Sequence, residues 1–303
     1  MRVIIASFQP LVYNIKEIRF YCGLIWLLRK ELKMKRIEFF KQALKEKRAL
    51  KVISGINNFD IKKAEMVISS AIEAKATAID VAAKEEILIL ANKLISESNS
   101  NIALIASSIN AKELADAVNI HNVDAIELGN FDALYKEGFS MSADKIIEIV
   151  NETLSLISQK RSEIMFSVTI PGEMAISEQI SLARKLEEMH IDIIQTEGYV
   201  SKINNFEGAR AWINRAELTI SNTFELSKNI ELPIMTASNI NTTTAQLAFA
   251  AGASAIGCGS CVNRLDSKIA MLAVISNLVE IANRNGIMIA ALNNESIKNV
   301  SLV

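Results

Sequence analysis

The sequence predicts a single α/β domain, a (β/α)₈ TIM barrel with an N-terminal helical extension, and three observations predict it. The first is a repeated junction at which a helical stretch closes and a short β-branched run opens: Lys75 to Asp80, His121 to Gly129, His190 to Gly198 and Gly252 to Gly259. The second is one further strand candidate in each interval between junctions, at Ile102 to Ala106, Ile164 to Thr169 and Pro233 to Ala237. With Leu50 to Ser54 as the opening strand, eight strands fall between about residues 49 and 258. The third is helical spacing of apolar residues in Ile61 to Ala74, Glu85 to Ile95, Ala143 to Ile157, Ser177 to Met189, Thr242 to Ala251 and Lys268 to Ala282. Asp60, Ser142 and Asp266 stand where N-caps are expected. A doubly wound open sheet shares the alternation and differs in strand order.

The barrel is expected over residues 34–283, including a leading helix at about 34–48. Residues 1–33 form an extension that need not belong to the fold, and residues 284–303 a C-terminal tail. Within the extension, the apolar run Phe20 to Leu28 is shorter than the roughly 20 residues that cross a bilayer, and no small-residue cleavage site follows it. Trp26 and the flanking cations leave a membrane-contacting amphipathic helix as the alternative. Between strands six and seven, a mobile loop at Tyr199 to Asn205 is expected to precede a long helix.

Half of the 303 residues are hydrophobic (50%) and 22% are charged, enough for a sizeable core and against disorder. Lys and Arg (33) nearly balance Asp and Glu (34), so no basic field is available to hold a nucleic acid. Three cysteines give no disulfide framework and suit a reducing compartment. Cys258-Gly-Ser-Cys261 has redox-motif spacing, but it lies late in a repeating α/β chain instead of opening a helix in a small domain. One such pair and two histidines make no metal set. His121 and His190 immediately precede strands, at the face remote from a barrel's active site, and read as helix C-caps in place of the glycine seen at Gly252.

Alternate strands of a barrel share interior layers, and chemistry sits at the C-terminal mouth. The junction repeat puts Asp80, Glu127, Gln195 and Gly257 at one equivalent position on strands two, four, six and eight. An acid facing outward would be buried under a helix, so these residues are expected to face inward, with Glu197 one step higher. Glu127 and Glu197 are the candidate acid and base, with Asp80 and Lys51 completing the catalytic set. Gln195, Asn57, Asn130, Ser107 and Thr169 are candidates for positioning substrate. The plainer alternative is a buried polar cluster in which Lys51, Ser107, Ser167 and Thr169 satisfy the acids. No lysine falls on strand six, which argues against an imine-forming aldolase with its lysine there.

The loops after strands seven and eight carry Ser238 and Asn239, then Gly257, Gly259 and Ser260. Glycines let backbone N–H groups approach an anion, and a helix opened by Ser260 would point at the same spot, a pattern that suits a phosphate monoester. The plain alternative is that the glycines relieve crowding at the strand end.

Lys51-Val-Ile-Ser-Gly-Ile-Asn-Asn-Phe-Asp60, Glu127-Leu-Gly-Asn-Phe-Asp132, Ser167-Val-Thr-Ile-Pro171, Ile193-Ile-Gln-Thr-Glu-Gly198 and Gly257-Cys-Gly-Ser260 resemble the hypothetical chloroplast open reading frame twenty-three family of algal plastids and cyanobacteria. The resemblance covers about Met34 to Ala282. It implies a barrel-like fold and a place in the plastid stroma, and it implies no reaction. Asn239 departs from the family's glycine there and adds bulk beside the expected anion. The expected function is therefore binding of a small phosphorylated metabolite, with proton transfer of the isomerase, epimerase or lyase type. A non-catalytic barrel that senses a phosphorylated ligand or flavin mononucleotide through a protein partner is the alternative, and a purely structural barrel the third. The sequence requires no cofactor, and a homo-oligomer is compatible with it.

Overall fold

Alternation at period two is what makes this chain a barrel. The computed structural model describes residues 35–129, 131, 141–198 and 207–300. Its eight parallel strands close on themselves in chain order. They are β1 (Ala49–Gly55), β2 (Ala78–Ala82), β3 (Ala103–Ser108), β4 (Ala125–Leu128), β5 (Met165–Ile170), β6 (Ile193–Thr196), β7 (Ile234–Thr236) and β8 (Ala255–Cys258). β8 pairs back onto β1, with Ala49 opposite Ala255 and Val52 opposite Cys258, which excludes the open sheet. A helix spanning residues 35–45, α1, precedes β1. The strands are separated by α2 (Ile61–Glu73), α3 (Glu85–Ser98), α4 (Ala111–Ile120), α5 (Ala143–Leu156), α6 (Ile176–Glu188), α7 (Gly208–Ser227) and α8 (Ala245–Ala250). The short α9 (Ser260–Asn263) and the long α10 (Lys268–Val300) follow β8. The expected extension over residues 1–33 and the expected loop at 199–205 lie outside the described residues.

The sheet divides the core in two. Residues at one parity, among them Val52, Ile79, Leu104, Ile126, Phe166, Ile194 and Ile256, pack outward against the helices. At the other parity, Ala49, Ala78, Ala103, Ala125 and Ala255 join Met165, Ile193 and Met235 inside the barrel. Five alanines leave the lower interior short of volume. α1 supplies it: Ile37, Phe40, Ala43 and Leu44 pack into the same cluster and close the N-terminal end. Arg36 secures the plug with a two-pronged ion pair to buried Asp124, Nε to Oδ2 at 2.8 Å and Nη2 to Oδ1 at 3.1 Å.

The junction repeat has a physical basis. Thr77, Asp124 and Asp192 occupy its equivalent position, and each side chain accepts the N–H of the second residue of the preceding strand. The bonds are Leu50 N to Thr77 Oγ1 (2.8 Å), Leu104 N to Asp124 Oδ2 (2.8 Å) and Phe166 N to Asp192 Oδ2 (2.7 Å). These staples satisfy strand-edge donors at the barrel floor and fix the register of β1, β3 and β5 against their neighbours.

Asp60 caps α2 by accepting the N–H groups of Lys62 and Lys63, and Ser142 caps α5 through Lys145. Asp266 does not cap: α10 begins at Lys268, and the Asp266 carboxylate faces Lys63 at 3.4 Å. His190 takes the left-handed conformation expected of a glycine-like C-cap (φ 58°), as do Lys75 (61°) and Gly252 (108°). His121 does not: it ends α4 in extended backbone (φ −106°), because Val123 folds its N–H back onto the His121 carbonyl. The expected tail from residue 284 is a continuation of α10, and buried Asn285 donates Nδ2 to the Lys47 carbonyl at 2.6 Å. Among the described residues, no helix is long and apolar enough to cross a membrane.

Phe40→Ala should destabilise the fold by about 3–5 kcal/mol, because an aromatic ring that fills the barrel floor would leave a cavity among small side chains. Urea denaturation followed by circular dichroism measures it, and a loss below about 1 kcal/mol would show that α1 is not a structural plug.

Candidate functional site

Above the apolar floor, the same inward parity turns polar. The register sets Ser107 and Ser167 on either side of Glu127, and Thr169 and Met235 on either side of Gln195. Lys51 pairs with Gly257, whose missing side chain lets Ala237 and Ile53 pack close against β8. Asp80, Glu127 and Gln195 therefore share the barrel interior, as inward-facing residues on alternate strands must.

Glu127 is the hub. Its Oε2 accepts from Lys51 Nζ at 2.6 Å and from Ser167 Oγ at 2.9 Å. Its Oε1 accepts from Gln195 Nε2 at 3.0 Å, and that amide also donates to Thr169 Oγ1 at 3.0 Å. Asp80 lies 4.0 Å from Lys51 Nζ and accepts from the Ser107 hydroxyl. Lys51, Asp80 and Glu127 have no solvent exposure, so the network is sealed on all sides. Gly129 belongs to it sterically: a Cβ there would stand 1.8 Å from Thr169 Oγ1, so only glycine lets the chain leave β4 beside β5.

Glu197 follows β6 and is buried, with Gly172 of the β5–α6 loop pressed so close that a Cβ would meet the Glu197 carbonyl oxygen at 2.1 Å. Asn57 is exposed in the β1–α2 loop and stands apart from the network; its neighbour Asn58 donates to Ser54 Oγ at 2.9 Å. Asn130 lies outside the described residues.

At the mouth between β7 and β8, Ser238 and Asn239 are consecutive residues in the left-handed region, with φ of 68° and 59°. Neither is glycine, so the turn stores backbone strain of order 1–3 kcal/mol per residue. Polar contacts hold it: Asn241 Nδ2 and Thr244 Oγ1 each donate to the Asn239 carbonyl at 3.5 Å. Across from it, a Cβ on Gly257 would come within 2.9 Å of the Ala237 Cβ. Asn263 of α9 donates to the Ile53 carbonyl at 2.9 Å, which ties the β8 loop to β1.

A cleft opens beside this turn, lined by Trp212, Arg215, Asn239, Ile240, Asn241, Ser260 and Arg264. Arg215 and Arg264 were not among the residues the sequence singled out. Arg264 follows the β8 loop closely enough to have been a candidate. Arg215 carried no signal, because its approach depends on how α7 is docked. Thr196 of β6 shares hydrogen bonds with Thr219 (2.9 Å) and Thr223 (3.0 Å) of α7, and Thr223 with Thr236 of β7 (2.7 Å). That buried hydroxyl chain fixes the turn of α7 just after Arg215.

Cys258 and Cys261 belong to the outer, helix-packed core, not to the barrel interior. Their thiols share a hydrogen bond, which together with burial pushes Cys258 well above the ordinary thiol value. The same bond holds Cys261 below it, against the penalty of burial and with help from the Arg264 charge. His121 and His190 lie at the opposite end of the barrel, just before β4 and β6.

Two outcomes follow from this geometry. In a double-mutant cycle of Lys51→Met and Glu127→Gln, read by urea denaturation, either single change should cost about 3–5 kcal/mol and the coupling should exceed about 1 kcal/mol. Additive losses would mean the pair is not an interaction. Iodoacetamide labelling of the folded chain, mapped by peptide mass, should modify Cys261 before Cys258; the reverse order would contradict the thiol environments.

The comparisons agree with this architecture. A family model described as "Protein of unknown function (DUF561)" matches residues 34–288. The protein "Uncharacterized protein ycf23" of Cyanophora paradoxa is 31% identical over 235 residues, 78% of this chain and 93% of that one. Among solved structures, a thiamine phosphate pyrophosphorylase from Pyrococcus furiosus superimposes with a TM-score of 0.51 at 14% identity, covering 80% of this chain and 98% of that one. A (S)-3-O-geranylgeranylglyceryl phosphate synthase from Thermoplasma acidophilum, in complex with substrate sn-glycerol-1-phosphate, gives 0.52 at 13% identity, covering 80% and 97%. At such identities the structural likeness speaks for the barrel alone. The sequence match goes further, extending over most of the chain, and the protein belongs to the DUF561 family.

Proposed function

We propose that this barrel binds a small phosphorylated metabolite at its C-terminal mouth and moves a proton on it, as isomerases, epimerases and lyases do. The observation that carries the reading is the pair of left-handed, non-glycine residues Ser238 and Asn239, held opposite the glycines of the β8 loop. Strain of this kind persists where the surrounding structure enforces it, and it concentrates at ligand clamps. The backbone around Ser238, Asn239, Gly257, Gly259 and Ser260 would hold the phosphate. Two barrels of the same shape are named for phosphorylated compounds, which supports the same ligand class here.

Glu127 and Glu197 would act as the acid–base pair, with Asp80 and Gln195 positioning and Lys51 fixing the charge of Glu127. One observation favours ligand sensing without turnover as the second reading. Both oxygens of Glu127 are already occupied by Lys51, Ser167 and Gln195 in a region with no solvent exposure. Flavin mononucleotide is the cofactor that this second reading would accommodate. The algal relatives support residence in the plastid, and within it we assign the stroma.

The test is thermal stabilisation of the full chain by glycerol phosphate against glycerol. The phosphate ester should raise Tm and glycerol should not. Gly259→Asp should abolish the effect while leaving the unliganded Tm nearly unchanged, since the nearest side-chain atom to its new Cβ is Ile53 Cβ at 3.4 Å. Stabilisation that persists in Gly259→Asp would remove the β8 loop from the site; yellow protein with flavin absorbance would favour the second reading.

A further inference from the structure

The cleft behind the Ser238–Asn239 turn carries charge that the fold does not use. Several cations elsewhere on the surface are paired: Lys63 with Asp266, Lys84 with Glu113, Arg161 with Asp192, Lys268 with Glu73 and Arg284 with Glu280. Arg215 and Arg264 line one narrow cleft, and no described carboxylate lies within ion-pair range of either. The other polar residues of the lining, Asn239, Asn241 and Ser260, are uncharged. Two guanidinium groups that line one cleft without an acid repel each other, and that repulsion is relieved by an anion. Trp212, 40% exposed, forms an apolar wall that strengthens any charge interaction made there.

The cleft is also continuous with the phosphate cradle, because Asn239 and Ser260 belong to both. The cradle itself is built from backbone and neutral side chains, so it is suited to one phosphoryl group. The arginines stand beyond it, where a second group would lie. We infer that the Arg215–Arg264 cleft binds a second phosphoryl group, so that the ligand of this barrel is a diphosphate or other phosphoanhydride and not a simple monoester. The inference rests on the phosphate-site reading above and assigns two residues that reading does not include. Planar guanidinium groups grip phosphoryl oxygens through two parallel N–H bonds each, and pairs of them match the charge that a diphosphate adds over a monophosphate.

Titration calorimetry of the full chain with inorganic phosphate and with pyrophosphate, at matched ionic strength and with a chelator present, tests this. Pyrophosphate should bind at least about tenfold more tightly than phosphate, the equivalent of one charge-assisted bond. In the Arg215→Gln/Arg264→Gln double variant that advantage should vanish while phosphate affinity stays within about twofold, since both side chains are exposed and fold-neutral. If phosphate binds and pyrophosphate gains nothing, or keeps its advantage in the double variant, the second site is overturned and the cradle stands. If neither anion binds the wild-type chain, the cradle reading falls and takes this inference with it.

Discussion

Everything in this protein depends on how a closed sheet sorts side chains to its two faces. Along each strand one parity meets helices and the other meets the barrel axis, where eight strands leave room for side chains and little else. Here that axial space is divided by height. Its lower part is dry, built from alanines and closed by α1, and its upper part holds one ammonium and two carboxylates. The Lys51–Glu127 pair tolerates its burial because Ser167 and Gln195 occupy the remaining hydrogen-bonding positions of the carboxylate.

The fold was largely legible from the sequence, and the reason is the junction repeat. Thr77, Asp124 and Asp192 recur at one offset because each performs the same task, accepting a strand-edge N–H at the barrel floor. The parity of Asp80, Glu127 and Gln195 followed from that offset, so their meeting inside the barrel was also readable. What escaped depended on distant packing. Nothing local in α1 says that Phe40 enters a barrel, because the vacancy it fills is made by alanines on five different strands. Arg215 gave no sign either, since its place beside Asn239 is set by hydroxyl contacts between α7, β6 and β7. Asp266 resembled a cap in composition and does not act as one, and His121 caps α4 without the left-handed turn of a glycine, because helix ends are decided by backbone geometry a residue or two away.

The mouth and the interior have different characters. The interior is saturated: its charged groups hold one another, and the geometry is fixed by packing. The mouth is strained and cationic: two consecutive left-handed residues stand beside a cleft lined by two arginines. Such a division suits a molecule in which one end anchors a charged handle and the other presents a fixed polar surface to whatever the handle carries. The cysteines stand outside this division, behind β8, and their thiols answer to burial and to each other before they answer to solvent.

The plug at the floor has a consequence for traffic. A tube stoppered by Ile37, Phe40 and Leu44 and bolted through Arg36 is shut at its base. With Lys51, Asp80 and Glu127 filling the space above it, nothing threads the tube, and traffic is confined to the rim.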